Sequence, residues 1–290
     1  MEHYDILIIG GGAAGIAAAK AARGAKVLLV DSKPALGGVL LQCTHFGFGK
    51  NKSGIQYAAD LLQDFPEKIT VALNTTVLSV SEDRTALLSG KEFGRKEISF
   101  SQLVLAAGCR EIPIGALPIG GTRPRGIYTA GQMQEMMNLY GYVPEGPAVI
   151  LGSGDLGLVM ARQLAEIGIA VTLVERRPHC GGMVRNRSCL REYPMKLVCN
   201  ATIAELRGEK QLESVVLQNG VLQNGVSIPC RTLLVAVGLR PERELISHLG
   251  SPDWLHICGN CNTVHPMVEG VVSEGKQAGI AAVEKLRGAL

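Results

Sequence analysis

One pattern constrains this chain more than any other, and it occurs twice. Near the N-terminus an apolar run, Tyr4–Ile9, meets Gly10, Gly12 and Gly15 in G-x-G-x-x-G spacing; an Ala-rich stretch follows to Arg23, then a second apolar run, Lys26–Val30, ends on Asp31. That order is strand, glycine turn, helix, strand, acid. The first glycine permits the turn, the second lets a pyrophosphate approach the backbone, and the third lets helix and strand pack closely. The helix N-terminus offers unpaired N–H groups and the positive end of its dipole to phosphate. An acid about 20 residues on accepts hydrogen bonds from ribose hydroxyls. The same order recurs with Ala148–Leu151, then Gly152, Ser153, Gly154, Asp155 and Gly157, a helical stretch to Ile167, and Ala170–Val174 ending on Glu175. One such turn is weak evidence; two, each with its flanking strands and terminal acid, imply two dinucleotide sites.

Composition agrees. Glycine supplies 36 of 290 residues without a collagen period or a Pro/Ser-rich tract, so the excess serves turns and close backbone approaches in a globular fold. The length suits two domains. The net charge is +3, with acids and bases interspersed and no basic face interleaved with aromatics, which argues against nucleic-acid binding. The start lacks the basic region of a signal peptide, and Ile6–Ala22 is broken by four glycines and Lys20, a poor membrane span. Eight scattered cysteines without a secretory signal read as reduced thiols. The expectation is a soluble cytoplasmic protein.

Between the two copies, 53–65 has helical spacing that Pro66 ends. Short β-like runs follow at 69–73, 76–80, 85–88, 97–100 and 103–106, punctuated as in an antiparallel meander. Leu103–Gly108 is a buried strand closing on glycine, and Leu233–Gly238 mirrors it. Residues 114–126, rich in Gly and Pro, are the best hinge candidate. The tandem Leu-Gln-Asn-Gly at 217–220 and 222–225 reads as a hairpin loop.

These residues resemble the two-dinucleotide-binding-domain flavoproteins, the pyridine nucleotide-disulfide oxidoreductase superfamily. Leu105-Ala-Ala-Gly108 with Pro113, and Val237-Gly-Leu-Arg-Pro241, are similar to its two crossover motifs. His256-Ile-Cys-Gly259-Asn260, with a helix from about Glu269 to Leu286, is similar to its final FAD motif, although Asn260 stands where the family usually has an acid. The resemblance implies an α/β fold with two Rossmann-like domains of three-layer ββα type. The FAD domain is then 1–117 with 242–290, and the NAD(P) domain, 118–241, is inserted into it. FAD contacts are implied at Gly10, Gly12, Ala13, Ala14, Gly15, Asp31, Ser32, Gly38, Val77, Ala107, Gly108, Gly259, Asn260 and Val268. NAD(P) contacts are implied at Gly152, Ser153, Gly154, Asp155, Gly157, Glu175, Arg176 and Gly238. At the second turn Glu175 suits a free 2′-hydroxyl, while Arg176 and Arg177 suit a 2′-phosphate; the acid holds the diagnostic strand end, which favours NAD(H) over NADP(H). The final helix should aim its N-terminus at the flavin C2 carbonyl and N1.

A narrower resemblance joins Gly37–Gly49, Tyr128–Gln134 and Leu151–Asp155 to the FAD/NAD subunits of multi-subunit dehydrogenases: hydrogen cyanide synthase, heterotetrameric sarcosine oxidase and the partner of bacterial glycerol-3-phosphate dehydrogenases. It implies electron exchange with a partner dehydrogenase or electron-transfer subunit, and the absence of the superfamily's C-terminal dimerisation domain is expected to fit that role.

Flavin disulfide reductases stack two thiols over the flavin, yet Cys43 stands alone where that pair belongs, and 115–240 contains no C-x-x-C. Cys43 is the one candidate catalytic thiol, with His45 nearby to lower its pKa; the alternative is a buried hydrophobe beside the cofactor. Cys258-x-x-Cys261 suits a redox pair or half a metal site by spacing, but lies inside the FAD motif with nothing to complete a metal set, so structural thiols are expected. Cys180, Cys189 and Cys199 have no ligand spacing. His265 either approaches the flavin pyrimidine or caps the last helix. The activity expected is hydride exchange between NAD(P)H and FAD without a redox disulfide. The rivals are a stand-alone NADH oxidase or peroxidase using Cys43, and a non-catalytic electron-carrying subunit.

Overall fold

The structure, a computed structural model, describes residues 1–91, 94–218 and 225–288. The chain forms two compact units, Met1–Arg110 with Arg240–Leu290, and Glu111–Leu239. It therefore crosses between them at 110/111 and 239/240, whereas the sequence suggests 117/118 and 241/242.

In the first unit, β1 (Glu2–Ile9) is followed by α1 (Ala13–Ala21), β2 (Val27–Val30), α2 (Gly54–Leu62), β3 (Thr70–Ala72), β4 (Thr75–Val80), β5 (Thr85–Gly90) and β6 (Gly94–Leu105). Strand order is β3-β2-β1-β6-β5-β4. β3, β2, β1 and β6 run parallel; β4 and β5 join antiparallel. A parallel sheet is covered on both faces, which is why residues 6–9 of β1 and all of β2 read as unbroken apolar runs rather than alternations. Leu7 and Ile9 face one core with Val80, Leu88 and Ile98 of the meander, while Ile6 and Ile8 face another with Ala14, Ala18 and Ala19 of α1. Trp254 meets Phe100 edge-on at 5.6 Å in the meander-side core, a contact worth about 1 kcal/mol beyond burial.

Two sequence expectations change here. The run at 69–73 is not part of the meander: Thr70–Ala72 pairs in parallel with β2. The runs 97–100 and 103–106 are one strand, whose N-terminal half serves the meander and whose C-terminal half serves the parallel sheet. The helix at 53 starts as expected, with Ser53 as N-cap in a capping box with Gln56. It stops at Leu62, before Pro66, where Gln63 turns extended and Lys20 Nζ takes the Leu61 and Gln63 carbonyls.

The second unit holds β7 (Ile127–Thr129), α3 (Ala130–Tyr140), β8 (Ala148–Leu151), α4 (Asp155–Glu166), β9 (Val171–Val174), β10 (Lys196–Val198), β11 (Thr202–Arg207), β12 (Ser214–Gln218), β13 (Val226–Pro229) and β14 (Thr232–Val235). Its parallel sheet has order β7-β14-β8-β9-β10. Helices cover one face through Met133, Leu158, Met160 and Leu164. The antiparallel strands β11–β13 cover the other through Ile203, Leu206, Val215 and Leu217. The tandem Gln-Asn-Gly segment between β12 and β13 lies largely outside the described residues. Residues 114–126 do not behave as a hinge. Ile119 is buried in the unit's core, Gly120–Gly121 pairs with β11, and Arg123 donates to the carbonyls of Ile119 and Thr122.

On return to the first unit, β15 (Leu255–Ile257) pairs in parallel with the end of β6, and α5 (Val268–Gly288) packs on α1. That packing requires small residues. A Cβ at Gly275 would lie 2.2 Å from the Ala14 carbonyl oxygen, and one at Gly279 would lie 2.3 Å from that of Ala18. Each unit is thus a three-layer β/β/α arrangement with a glycine turn at the carboxyl end of its central strand, the end at which open α/β sheets bind ligands. Among the described residues no helix is long and apolar enough to cross a membrane.

Candidate functional site

The two glycine turns are built alike. Gly10 and Gly152 adopt φ of 104° and 105°, which disfavours any side chain, and a Cβ there would meet the backbone oxygen of Ala106 at 2.4 Å or of Ala236 at 2.2 Å. Gly15 and Gly157 let the helix cross its strand: a Cβ would sit 1.7 Å or 2.2 Å from the carbonyl oxygen of Gly10 or Gly152. Gly12 and Gly154 differ from both, since a Cβ at either would meet nothing within 4 Å. The first and third glycines satisfy packing; the middle one borders open space. This is the cradle a pyrophosphate needs, and it fits a dinucleotide in each unit.

In the first unit α1 begins with no side-chain cap and no acid in its first turn, so its positive end is uncompensated. Asp31 accepts from Gly11 N at 2.6 Å and Lys33 N at 2.8 Å. Around this turn the fold gathers several expected residues. A Cβ on Gly38 would approach Gly12 Cα to 3.0 Å, one on Gly10 would approach Ala107 N to 3.1 Å, and one on Gly259 would approach Ala14 Cβ to 2.7 Å. Ala13 joins a small cluster with Leu40 and Ala58, against which Val268, the first residue of α5, is packed. Ser32 and Ala107 are exposed, and Gly108 takes φ 77° at the end of the crossover. Val77 packs against the meander-side core, two residues past Thr75, whose N–H bonds the Asp31 carbonyl. Asn260 Oδ1 accepts from His265 N, and His265 Nε2 lies 2.9 Å from Glu274 Oε1; Glu274 Oε2 in turn accepts from Gly259 N. His265 and Glu274 thus brace the loop that carries Gly259 and Asn260. Glu274 carried no sequence signal by itself; only the helix register opposite Gly259 singles it out.

In the second unit Glu175 is buried. Its Oε2 accepts from Ser153 N at 3.0 Å and Ser153 Oγ at 2.5 Å; its Oε1 accepts from Arg177 N and Arg177 Nε, both at 3.0 Å. Burial alone would raise its pKa, but the hydrogen bonds from Arg177 and Ser153 outweigh it and hold the carboxyl at about 2. A depressed carboxyl contributes stability that is complete above its ordinary value of 4.5 and lost as pH falls through about 2. Glu175→Gln should therefore cost on the order of 2–3 kcal/mol at pH 7. Denaturant unfolding followed from pH 7 to pH 3 should show the gap narrowing below about pH 4.5; a gap independent of pH would refute the assignment. Asp155, the first residue of α4, accepts from Met183 N at 2.7 Å and Asn186 Nδ2 at 2.6 Å. Arg176 is exposed, and Gly238 takes φ 141° beside Ile112.

The duplication runs further than the glycine turns. Asp31-Ser-Lys-Pro-Ala-Leu-Gly37-Gly38 and Glu175-Arg-Arg-Pro-His-Cys-Gly181-Gly182 share acid, base, proline and paired glycines in one spacing. The partner positions repeat too, with different acceptor atoms: Gly37 N donates to the backbone carbonyl of Gly11 and Gly181 N to the side-chain Oγ of Ser153, both at 2.8 Å, while Gly38 and Gly182 take φ 55° and 65°. Gly181 and Gly182 were legible as this repeat, although the glycine turns alone do not mark them.

The thiols sit as packing groups. Cys43 Sγ donates to Val39 O, its Cβ abuts Gly54, and burial pushes its pKa up to about 12, away from a resting thiolate. The C-x-x-C divides between the two cores: Cys258 packs with Ala14, Ala18 and Val104 on the helix side, Cys261 with Leu103, Leu105 and Trp254 on the meander side. Burial raises both pKa values. Native protein should expose only Cys109, Cys180 and Cys199 to a disulfide reagent at pH 8, the buried five reacting after denaturation; fast native reaction of Cys43 would contradict this. Among the described residues no group of three His, Cys, Asp or Glu is placed to hold a metal.

Comparison with known proteins agrees with this architecture. The chain is 29% identical over 276 residues to sarcosine oxidase subunit alpha of Rhizobium meliloti (strain 1021), covering 87% of this chain and 26% of that one. It is 31% identical over 282 residues to hydrogen cyanide synthase subunit HcnB of Pseudomonas protegens, covering 84% and 58%. The chain thus spans between about a quarter and three-fifths of these relatives. In fold it superposes on thioredoxin reductase of T. acidophilum with a TM-score of 0.80 at 17% identity, covering 99% of this chain and 100% of that one. The family model for pyridine nucleotide-disulphide oxidoreductases matches residues 4–253. The chain belongs to that family of flavin-dependent oxidoreductases.

Proposed function

We propose that the first unit holds FAD and the second a reduced nicotinamide dinucleotide, and that the chain passes electrons between them and a partner dehydrogenase subunit in the cytoplasm. The observation that carries this reading is the pair of cradles, each with two packed glycines and one facing open space. FAD supplies the hydride-accepting chemistry; the protein supplies position and field. Gly12, the uncapped start of α1 and Gly38 would take the pyrophosphate, Asp31 the ribose, and Gly259 with Asn260 the ribityl side. Val268 at the start of α5 would direct that helix's positive end at the charge that develops on reduction.

The buried, high-pKa Cys43 and the divided C-x-x-C favour electrons leaving to a separate acceptor rather than to a thiol of this chain. Relatives named as subunits of oxidases and of hydrogen cyanide synthase support a partner. Two measurements test this. Cofactor released from purified protein should be FAD at one per chain, and Cys43→Ser should retain NAD(P)H-driven reduction of an artificial acceptor. Loss of that reduction together with retained FAD would favour the single-thiol oxidase or peroxidase instead.

A further inference from the structure

The acids that close the two glycine turns are not equivalent. Asp31 is half-exposed and accepts two backbone N–H groups. Glu175 is 5% exposed and meets five donors: Ser153 N and Oγ, Arg177 N and Nε, and Arg177 Nη2 at 3.4 Å. A carboxylate offers about four lone-pair sites, so none is left for a ribose hydroxyl. Its charge is also matched, because the Arg177 guanidinium grips both oxygens.

The neighbouring charges are basic. Arg176 is exposed and has no ion-pair partner among the described residues. Arg187 Nε donates to the Gly181 and Gly182 carbonyls, which brings a third guanidinium to the turn. Asp155, the other acid here, is engaged by Met183 N and Asn186. Three guanidiniums against two occupied carboxylates leave a positive surplus where an adenosine ribose would lie, and a planar guanidinium matches phosphate in two-point geometry.

We propose that Glu175 is a strut and not the ribose reader, that Ser153 and Arg177 withdraw it, and that Arg176 reads a 2′-phosphate, so that the second unit takes NADP(H) in preference to NAD(H). This rests on the reading of that unit as a nicotinamide-dinucleotide site, and it reverses the preference drawn from the acid's position in the sequence. Ser153 is the specificity-determining residue: the equivalent position in the first unit is Gly11, which has no hydroxyl to bind its acid.

Calorimetric titration of the FAD-loaded protein with NADP+, NAD+, 2′,5′-ADP and 5′-AMP tests this without turnover. NADP+ should bind at least tenfold tighter than NAD+, and 2′,5′-ADP correspondingly tighter than 5′-AMP. Arg176→Ala should collapse that ratio toward one. Ser153→Gly should release Glu175 and shift the ratio several-fold toward NAD+, with circular dichroism and flavin content confirming the fold. Tighter binding of NAD+ to the unaltered protein, weakened by Glu175→Gln, would overturn the proposal while leaving the nicotinamide site standing. Binding of neither dinucleotide would overturn the site itself and the proposal with it.

Discussion

Gly152→Ala should give a protein that purifies with its full complement of FAD and is not bleached by any reduced nicotinamide dinucleotide, whereas Gly10→Ala should purify without flavin. The two substitutions are sterically equivalent. Each forces a side chain into a residue at φ near 105° and drives its Cβ to within 2.4 Å or less of a backbone oxygen at the end of the neighbouring strand. Left-handed strain costs about 1–2 kcal/mol and overpacking against backbone about 1–3 kcal/mol, and the turn can relieve neither without losing the close approach that a pyrophosphate needs. The units are separate compact bodies, so each defect should remain in its own site. Flavin content by absorbance after denaturation, together with anaerobic titration, gives the readout. A bleachable Gly152→Ala protein, or a fully flavinylated Gly10→Ala protein, would show that the assignment of ligands to units is wrong.

The second large effect reverses an ordinary expectation. Replacing glycine by alanine inside a helix usually stabilises by roughly 0.5–1 kcal/mol. Gly275→Ala, in the middle of α5, should instead destabilise the first unit by several kcal/mol. Its Cβ would meet the Ala14 carbonyl oxygen at 2.2 Å and Ala14 Cα at 2.7 Å, and both are backbone atoms of a helix that cannot yield locally. Displaced α5 would also move the start of α1, so loss of flavin affinity should accompany the lower Tm. Lys276→Ala, one position on and exposed, should leave both unchanged. Equal melting temperatures for Gly275→Ala and Lys276→Ala would refute this packing account.

Much of this molecule was legible in its sequence because the informative residues answer to local rules. Both strand–turn–helix units and the buried strands that close on Gly108 and Gly238 follow from glycine spacing and apolar runs, while the final helix was expected from the resemblance of residues 256–260 to the family's last FAD motif. Other features depend on partners far away in the chain. Residues 69–73 read as meander because so short a run carries no direction; only the pairing of Thr70–Ala72 with β2 makes them a parallel edge strand. Residues 114–126 have the composition of a hinge, yet Arg123 and the burial of Ile119 pin them into the second unit. At the site, the positions of Asp31 and Glu175 were equally visible, but their engagement was not. That difference arises from one hydroxyl at Ser153 and one guanidinium at Arg177, whose contacts with Glu175 no spacing reports. The paired glycines at 181–182 are a contrasting case: comparing the two halves residue by residue through Pro34 and Pro178 reveals them directly.

On the proposed reading, one chain carries a flavin cradle and a nicotinamide cradle that exchange electrons. Anaerobic mixing of the purified, FAD-containing protein with NADPH and, separately, with NADH tests it most directly. The flavin absorbance band should bleach rapidly, to an extent set by one reduced nucleotide per flavin, and at lower concentrations of NADPH than of NADH. A flavin band unchanged by either nucleotide, in protein that retains stoichiometric FAD, would contradict the claim.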